Sequence, residues 1–217
     1  MDMPLETSDS FRLGTPELVC RWRLSNSRLP LENRHLRALS QRLVRGASLG
    51  AGLLSWAKQH IEWTLADGAA AYPDGVLMLV VDDAGQAAMT VGPYEELHAT
   101  KLAHLVGRAQ TARSEARETG VAPESLWVWH DECLYWGIDE DAHASGAASL
   151  IEDLARTLGT PVERSTQLLD DARAGVLDVD EAFLVSDEHG VVLARDHAGE
   201  EGRRLRDGYR TLLARTQ

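Results

Sequence analysis

The chain has 217 residues, 44% of them hydrophobic and 26% charged, and a net charge of −12; it suits one large or two small globular units whose core needs no covalent staples. The acid excess, without any dense Arg/Lys patch, excludes nucleic acid as a main partner. Cys20 and Cys133 are the only cysteines, which excludes a disulfide framework, and the longest apolar run, VLMLVV, is too short to cross a bilayer.

The opening MDMPLETSDS is acidic and polar and does not read as a signal peptide. Residues 1–15 read as a flexible arm. ELVCRWRL (17–24) alternates and predicts a strand. LENRHLRALSQRLV (31–44) sets Leu36, Leu39 and Leu43 on one helical face, and GLLSWAKQHIEWTL (52–65) repeats the pattern. GVLMLVVDDAGQAAMTVGPY predicts two strands joined at DDAGQ. The segment after Lys101 predicts a long helix stopping at Gly120. SLWVWHDECLYWG (125–137) predicts a second hairpin turning at HDEC. GAASLIEDLARTLG (146–159) is an amphipathic helix, PVER a short strand and TQLLDDARAG a short helix. EAFLVSDEHGVVLARD (181–196) predicts strand, turn, strand, and EEGRRLRDGYRTLLAR (200–215) a terminal helix.

Strand pairs separated by helices indicate an α/β or α+β protein. A Pro-containing polar junction near residues 94–103 divides the chain into an N-terminal unit, 16–97, and a C-terminal unit, 98–217. Cys20 and Cys133 lie in apolar surroundings and read as buried thiols in a reducing, cytoplasmic compartment.

No P-loop, GxGxxG, GxSxG or HExxH motif is present. His130, Asp131 and Glu132 lie close to Asp139, Asp141 and His143, but neighbours on a hairpin point to opposite sides, so a solvated turn is expected and no metal. The six Trp residues sit at strand and helix-face positions that favour core packing over base stacking. Ser186, Asp187 and His189 are triad residue types, but one tetrapeptide cannot adopt triad geometry. Of the 22 basic residues only Lys58 and Lys101 are lysine. Lys101 opens a helix after a strand and a connector. Two readings stay open for it: a desolvated amine able to act as base or imine-forming nucleophile, or an exposed first-turn lysine.

The order of segments resembles the class IV aminotransferases, the fold-type-IV pyridoxal-phosphate enzymes that include D-amino-acid and branched-chain aminotransferases and aminodeoxychorismate lyase. The resemblance runs over about residues 17–215. RHLRAL (34–39) is similar to the family's "HLxRL" segment. GVLMLVVDDAGQAAMTVGPYEEL looks like the strand pair that closes its first domain. KLAHLVGRAQTARSEARETG (101–120) resembles the cofactor-lysine segment. GAASLIEDLARTLGTPVER is similar to "GITR…LAEELGIPVEE", and DEAFLVSDEHGVVLARDHAG to "DEAFLTSSLRGVVPVRRIDG".

The resemblance implies a two-domain α/β fold with a shortened second domain, an active site between the domains, a homodimer and a small-molecule substrate bearing an amino or carboxylate group. It implies pyridoxal phosphate as cofactor, Lys101 as the imine-forming amine, and Arg37, Gly146, Ala147, Ser186 and His189 as the cofactor-binding set. Four positions depart from the family pattern. Ala38 stands where the phosphate-binding Arg is counted, and Trp136 where the Glu for the pyridine nitrogen stands. Ala148 replaces the Thr of "GIT". Asp187 replaces a small hydroxyl or amide residue, and a carboxylate there repels a phosphate. Two functions follow: a diverged enzyme working through Lys101, or a catalytically silent relative that binds a ligand or a partner protein.

Overall fold

The computed structural model describes residues 12–215. The flexible-arm expectation for residues 1–15 falls mainly outside them. Within them, the Gly14 N–H donates to Asp82 Oδ2 at 2.8 Å and the Thr15 carbonyl accepts from Asp83 N, so the chain is already fastened before the first strand.

The elements run β1 (Pro16–Arg23), α1 (Glu32–Leu39), β2 (Leu43–Val44), β3 (Ala47–Ser48), α2 (Ala51–Gly68), β4 (Val76–Asp82) and β5 (Ala87–Gly92). After the connector come α3 (Leu102–Thr119), β6 (Glu124–His130), β7 (Cys133–Trp136), α4 (Gly146–Thr157), β8 (Val162–Arg164), α5 (Leu168–Ala174), β9 (Glu181–Ser186), β10 (Gly190–Leu193) and α6 (Glu200–Arg215).

One sequence expectation is corrected. The helix predicted over 31–44 ends at Leu39, and residues 43–48 form a small antiparallel hairpin instead. Arg45 and Gly46 both have positive φ, at 51° and 75°, as a two-residue hairpin turn requires. Arg45 also pairs with Glu17 and Asp83 at 3.2 Å. Leu43 therefore leaves the helical face on which the 3.6-residue period sets it.

The first half is an antiparallel sheet in the order β1-β4-β5. Alternation along β1 divides its side chains. Leu18, Cys20 and Trp22 are buried against Leu77, Leu79, Leu39 and Ile61, while Glu17, Val19 and Arg21 face outward. The second half is a five-stranded sheet in the order β10-β9-β6-β7-β8, antiparallel except for the β7–β8 pair. Both of its faces are covered. Trp127, Trp136, Phe183 and Val185 pack with α4 and α6, whereas Leu126, Val128 and Leu184 pack with α3 and α5. Trp127 and Trp136 stack at 4.6 Å and are fully buried, and Trp22 is buried in the first half, as the core reading of the tryptophans requires; Trp63 on α2 departs from it, at 62% exposed. The architecture is α/β, and its second half is short: residues 137–145 alone separate β7 from α4.

The Gly120 cap ends α3 with φ 84°, and a Cβ there would lie 2.5 Å from the Gln41 carbonyl oxygen. This close approach brings the end of α3 against the chain leaving α1. The halves are also joined by Arg23 N donating to the Asp187 carbonyl, and by Arg34, whose guanidinium reaches Ser149 Oγ at 3.1 Å and Asp153 at 2.9 Å.

Candidate functional site

A cleft of about 810 Å³ lies between the outward face of β1 and one face of α3, closed at one side by the β9–β10 turn. Val19, Ala103, Gly107 and Ala112 supply its apolar wall. Its charged lining is Glu17, Glu115, Glu118, Glu124, Asp187 and Glu188 against Arg21 and Arg108. Both arginines are already engaged. Arg108 grips Glu124 through Nε at 2.8 Å and Nη2 at 2.6 Å. Arg21 grips Glu188 in the same forked manner, which ties β1 to the β9–β10 turn across the cleft. Among the described residues Glu118 has no ion-pair partner. Glu17 and Glu115 are paired in turn by Arg45 and Arg42, so the surplus of negative charge in the cleft rests on Glu118 and Asp187.

Behind the cleft lies a buried polar cluster. Arg42 donates to Thr119 Oγ1 at 2.9 Å and approaches Glu115 at 3.4 Å. Burial pushes the Glu115 carboxyl above the usual carboxylate range, against the pull of Arg42. Burial likewise pushes the Cys20 thiol up to about 11. Asp187 is buried at the start of α4, where its Oδ1 accepts from Ala147 N at 2.7 Å and its Oδ2 lies 3.6 Å from His35 Nδ1. Burial alone would raise the Asp187 carboxyl. The His35 ring, the Ala147 N–H and Arg42 outweigh it, so the group lies below the usual carboxylate range. His35 in turn stacks on Trp22 at 5.2 Å.

The sequence-predicted residues divide sharply in this setting. Lys101 is the residue before the first turn of α3. Its side chain is exposed, and it is not among the cleft-lining residues. Its neighbours tie it to the open end of the β9–β10 hairpin, through Arg195 N to the Thr100 carbonyl and Leu102 N to Asp196 Oδ1. Ser186 stands at the other end, four residues up β9 from Ala182, which is about 13 Å at roughly 3.3 Å per residue. Arg37 is exposed on α1, whereas His35 and Ala38 are buried. Gly146 and Ala147 do form the first turn of α4; the Ala147 N–H donates to Asp187 Oδ1, and Gly146 lies against the His35 ring. Ser186 Oγ accepts from the N–H groups of Glu188 and His189, so it closes its own turn. His189 is half-buried, with Nδ1 3.3 Å from the Tyr94 hydroxyl and Nε2 4.0 Å from Glu124. Burial depresses its pKa against the pull of Glu188 and Glu124.

Sequence reasoning missed Arg42, Arg108 and Glu124. Nothing in their spacing signals them, because each pairs with a residue on another element. His130 pairs with Asp180 at 3.1 Å at an exposed turn, and among the described residues no three His, Cys, Asp or Glu side chains converge on a metal position.

Pyridoxal phosphate needs an amine inside the cleft, an anion site and a carboxylate for its ring nitrogen. The residues present do not fit it. The Lys101 amine is exposed, the Ala147 amide is taken by Asp187, and Trp136 is locked in the core by its stacking on Trp127. Gly146 lies so close to His35 that even a Cβ would fall 2.4 Å from Nδ1.

Sheet order, layers and the cleft between halves define the fold of the class IV aminotransferases and aminodeoxychorismate lyases, a fold this chain shares with known structures. The PLP-bound form of a hypothetical aminotransferase from Mycobacterium tuberculosis superposes with a TM-score of 0.63 at 12% identity, covering 97% of this chain and 96% of that one. The 4-amino-4-deoxychorismate lyase of Pseudomonas aeruginosa gives 0.59 at 17% identity, covering 89% and 90%. The branched-chain amino acid aminotransferase of Escherichia coli gives 0.54 at 12% identity, covering 94% and 90%. Neither a protein-family model nor a curated protein sequence matches the chain. Among the described residues no helix is long and apolar enough to cross a membrane.

Proposed function

We propose that this chain is a ligand-binding protein built on the class IV aminotransferase fold, working without pyridoxal phosphate and taking a small organic cation in the cleft between its halves. The two halves act as lobes, 16–97 and 98–217, and the ligand bridges them. The observation that carries this reading is the lining of the cleft. Its carboxylates outnumber its arginines even with Arg42 and Arg45 counted on Glu115 and Glu17, both lining arginines are held in forked ion pairs, and among the described residues Glu118 has no ion-pair partner. An anionic amino-acid or keto-acid substrate would meet repulsion there, whereas an ammonium or guanidinium group would meet attraction. The apolar stretch at Val19, Ala103 and Ala112 suits the alkyl chain of such a ligand. The exposed position of Lys101 supports a role for it outside any imine chemistry.

The test is a pair of measurements on the full chain. Putrescine, a diamine, should raise the melting temperature at low ionic strength, while glutarate of similar length should not. Glu118→Gln should weaken the putrescine effect. Added pyridoxal phosphate should give no near-visible aldimine band. A band that disappears in Lys101→Ala would establish the enzymatic alternative, and stabilisation by glutarate alone would remove the cationic ligand class.

A further inference from the structure

The junction of α1, α4 and the β9–β10 turn holds an anion that belongs to the chain itself. The N-terminal turn of a helix presents free N–H groups and the positive end of the helix dipole, so it attracts negative charge. At the start of α4 the Ser145 side chain takes Ala148 N, and Asp187 Oδ1 takes Ala147 N at 2.7 Å. Asp187 is held by its backbone as well: its carbonyl accepts from Arg23 N and its N–H donates to the Pro123 carbonyl. A second buried group points into the same place. His35 is 3% exposed, and its Nδ1 lies 3.6 Å from Asp187 Oδ2, without a hydrogen-bond partner among the described residues.

We propose that Asp187 is a tethered internal anion that fills the α4 N-terminal site and closes it to phosphate groups. A tethered carboxylate loses little translational freedom on docking, so a free anion must displace a partner of high effective concentration. It must also approach a carboxylate whose charge has no exit from a buried site. Removing the carboxylate leaves space, a free amide and the unpartnered His35 nitrogen. Asp187 also lines the cleft, but the phosphate titration reads the α4 amide, whereas the reading above is read by putrescine and Glu118→Gln, so the two can fail independently.

The experiment titrates inorganic phosphate into the full-length wild type and Asp187→Ser, using calorimetry and melting temperature against chloride at equal ionic strength. Glu32→Gln is the control, since it removes a carboxylate on α1 that does not touch the amide and, among the described residues, has no ion-pair partner. The wild type and the control should show no phosphate-specific effect. Asp187→Ser should bind phosphate at least about tenfold more tightly than wild type, the factor that one charge-assisted contact confers. Where the variant does not fold in chloride, phosphate should restore its near-ultraviolet circular dichroism. Equal binding by wild type and Asp187→Ser, or an unfolded variant that phosphate fails to restore, overturns the proposal.

Discussion

Replacing Arg42 by methionine tests whether the buried cluster behind the cleft holds the two halves together. The Arg42 side chain is 4% exposed and meets Thr119 Oγ1 at 2.9 Å and Glu115 at 3.4 Å, both on α3. Methionine is unbranched and flexible enough to occupy much of the volume, so the loss is chiefly polar. Breaking a fully buried ion pair costs about 3–5 kcal/mol. Glu115 is 38% exposed, however, so solvent screens its share. The charged hydrogen bond to Thr119, at about 1.5–3 kcal/mol, then dominates. A loss of about 2–3 kcal/mol should lower the melting temperature by roughly 5–10 °C for a chain of this size. The pH dependence follows from Glu115. Burial raises its pKa in the folded chain, and Arg42 is the group that opposes the rise. Without Arg42 the folded value moves higher. A raised folded pKa favours stability below the unfolded value and loses it as the pH rises through the folded one. The deficit of Arg42→Met should therefore be larger at pH 7 than near pH 5, where the share lost with the Thr119 hydrogen bond remains. Urea unfolding at both values reads this directly. An unchanged midpoint at pH 7, or a deficit that ignores pH, would refute the reasoning.

Two further outcomes are expected. Asp187 has a depressed pKa, so its contribution to stability is complete above the ordinary carboxylate range and is lost as the pH falls through the lower folded value; Asp187→Asn should be less stable at pH 7 and should show a flatter acid limb in a plot of midpoint against pH. Cys20 and Cys133 are buried with raised pKa values, so neither thiol should react with a disulfide reagent at pH 8 in the native chain, and both should react in guanidinium; fast native labelling would contradict their burial.

Most elements were legible because each is written in a local period. The α3 stop at Gly120, the hairpin at HDEC and the α4 start at Gly146 all match their residues. The hairpin at 43–48 was not legible, because Leu36, Leu39 and Leu43 keep a helical period while Arg45 and Gly46 turn the chain back. The candidate site was legible only in part. Gly146, Ala147 and Asp187 do converge, but as a filled site. Lys101 drew attention by its rarity as a residue type, and rarity carries no information about which way a side chain points.

By itself the sequence determined the order of most strands and helices, the burial of the cysteines and of three of the six tryptophans, the acidic charge and the resemblance to one fold, since each depends on neighbours a few residues apart or on composition. Only tertiary structure decided which charges meet. Arg42 with Glu115, Arg108 with Glu124, and Asp187 with His35 and Ala147 join residues on separate elements. Their chemistry follows from distances across the fold, because the strength of a charge depends on what surrounds it and how much water remains beside it.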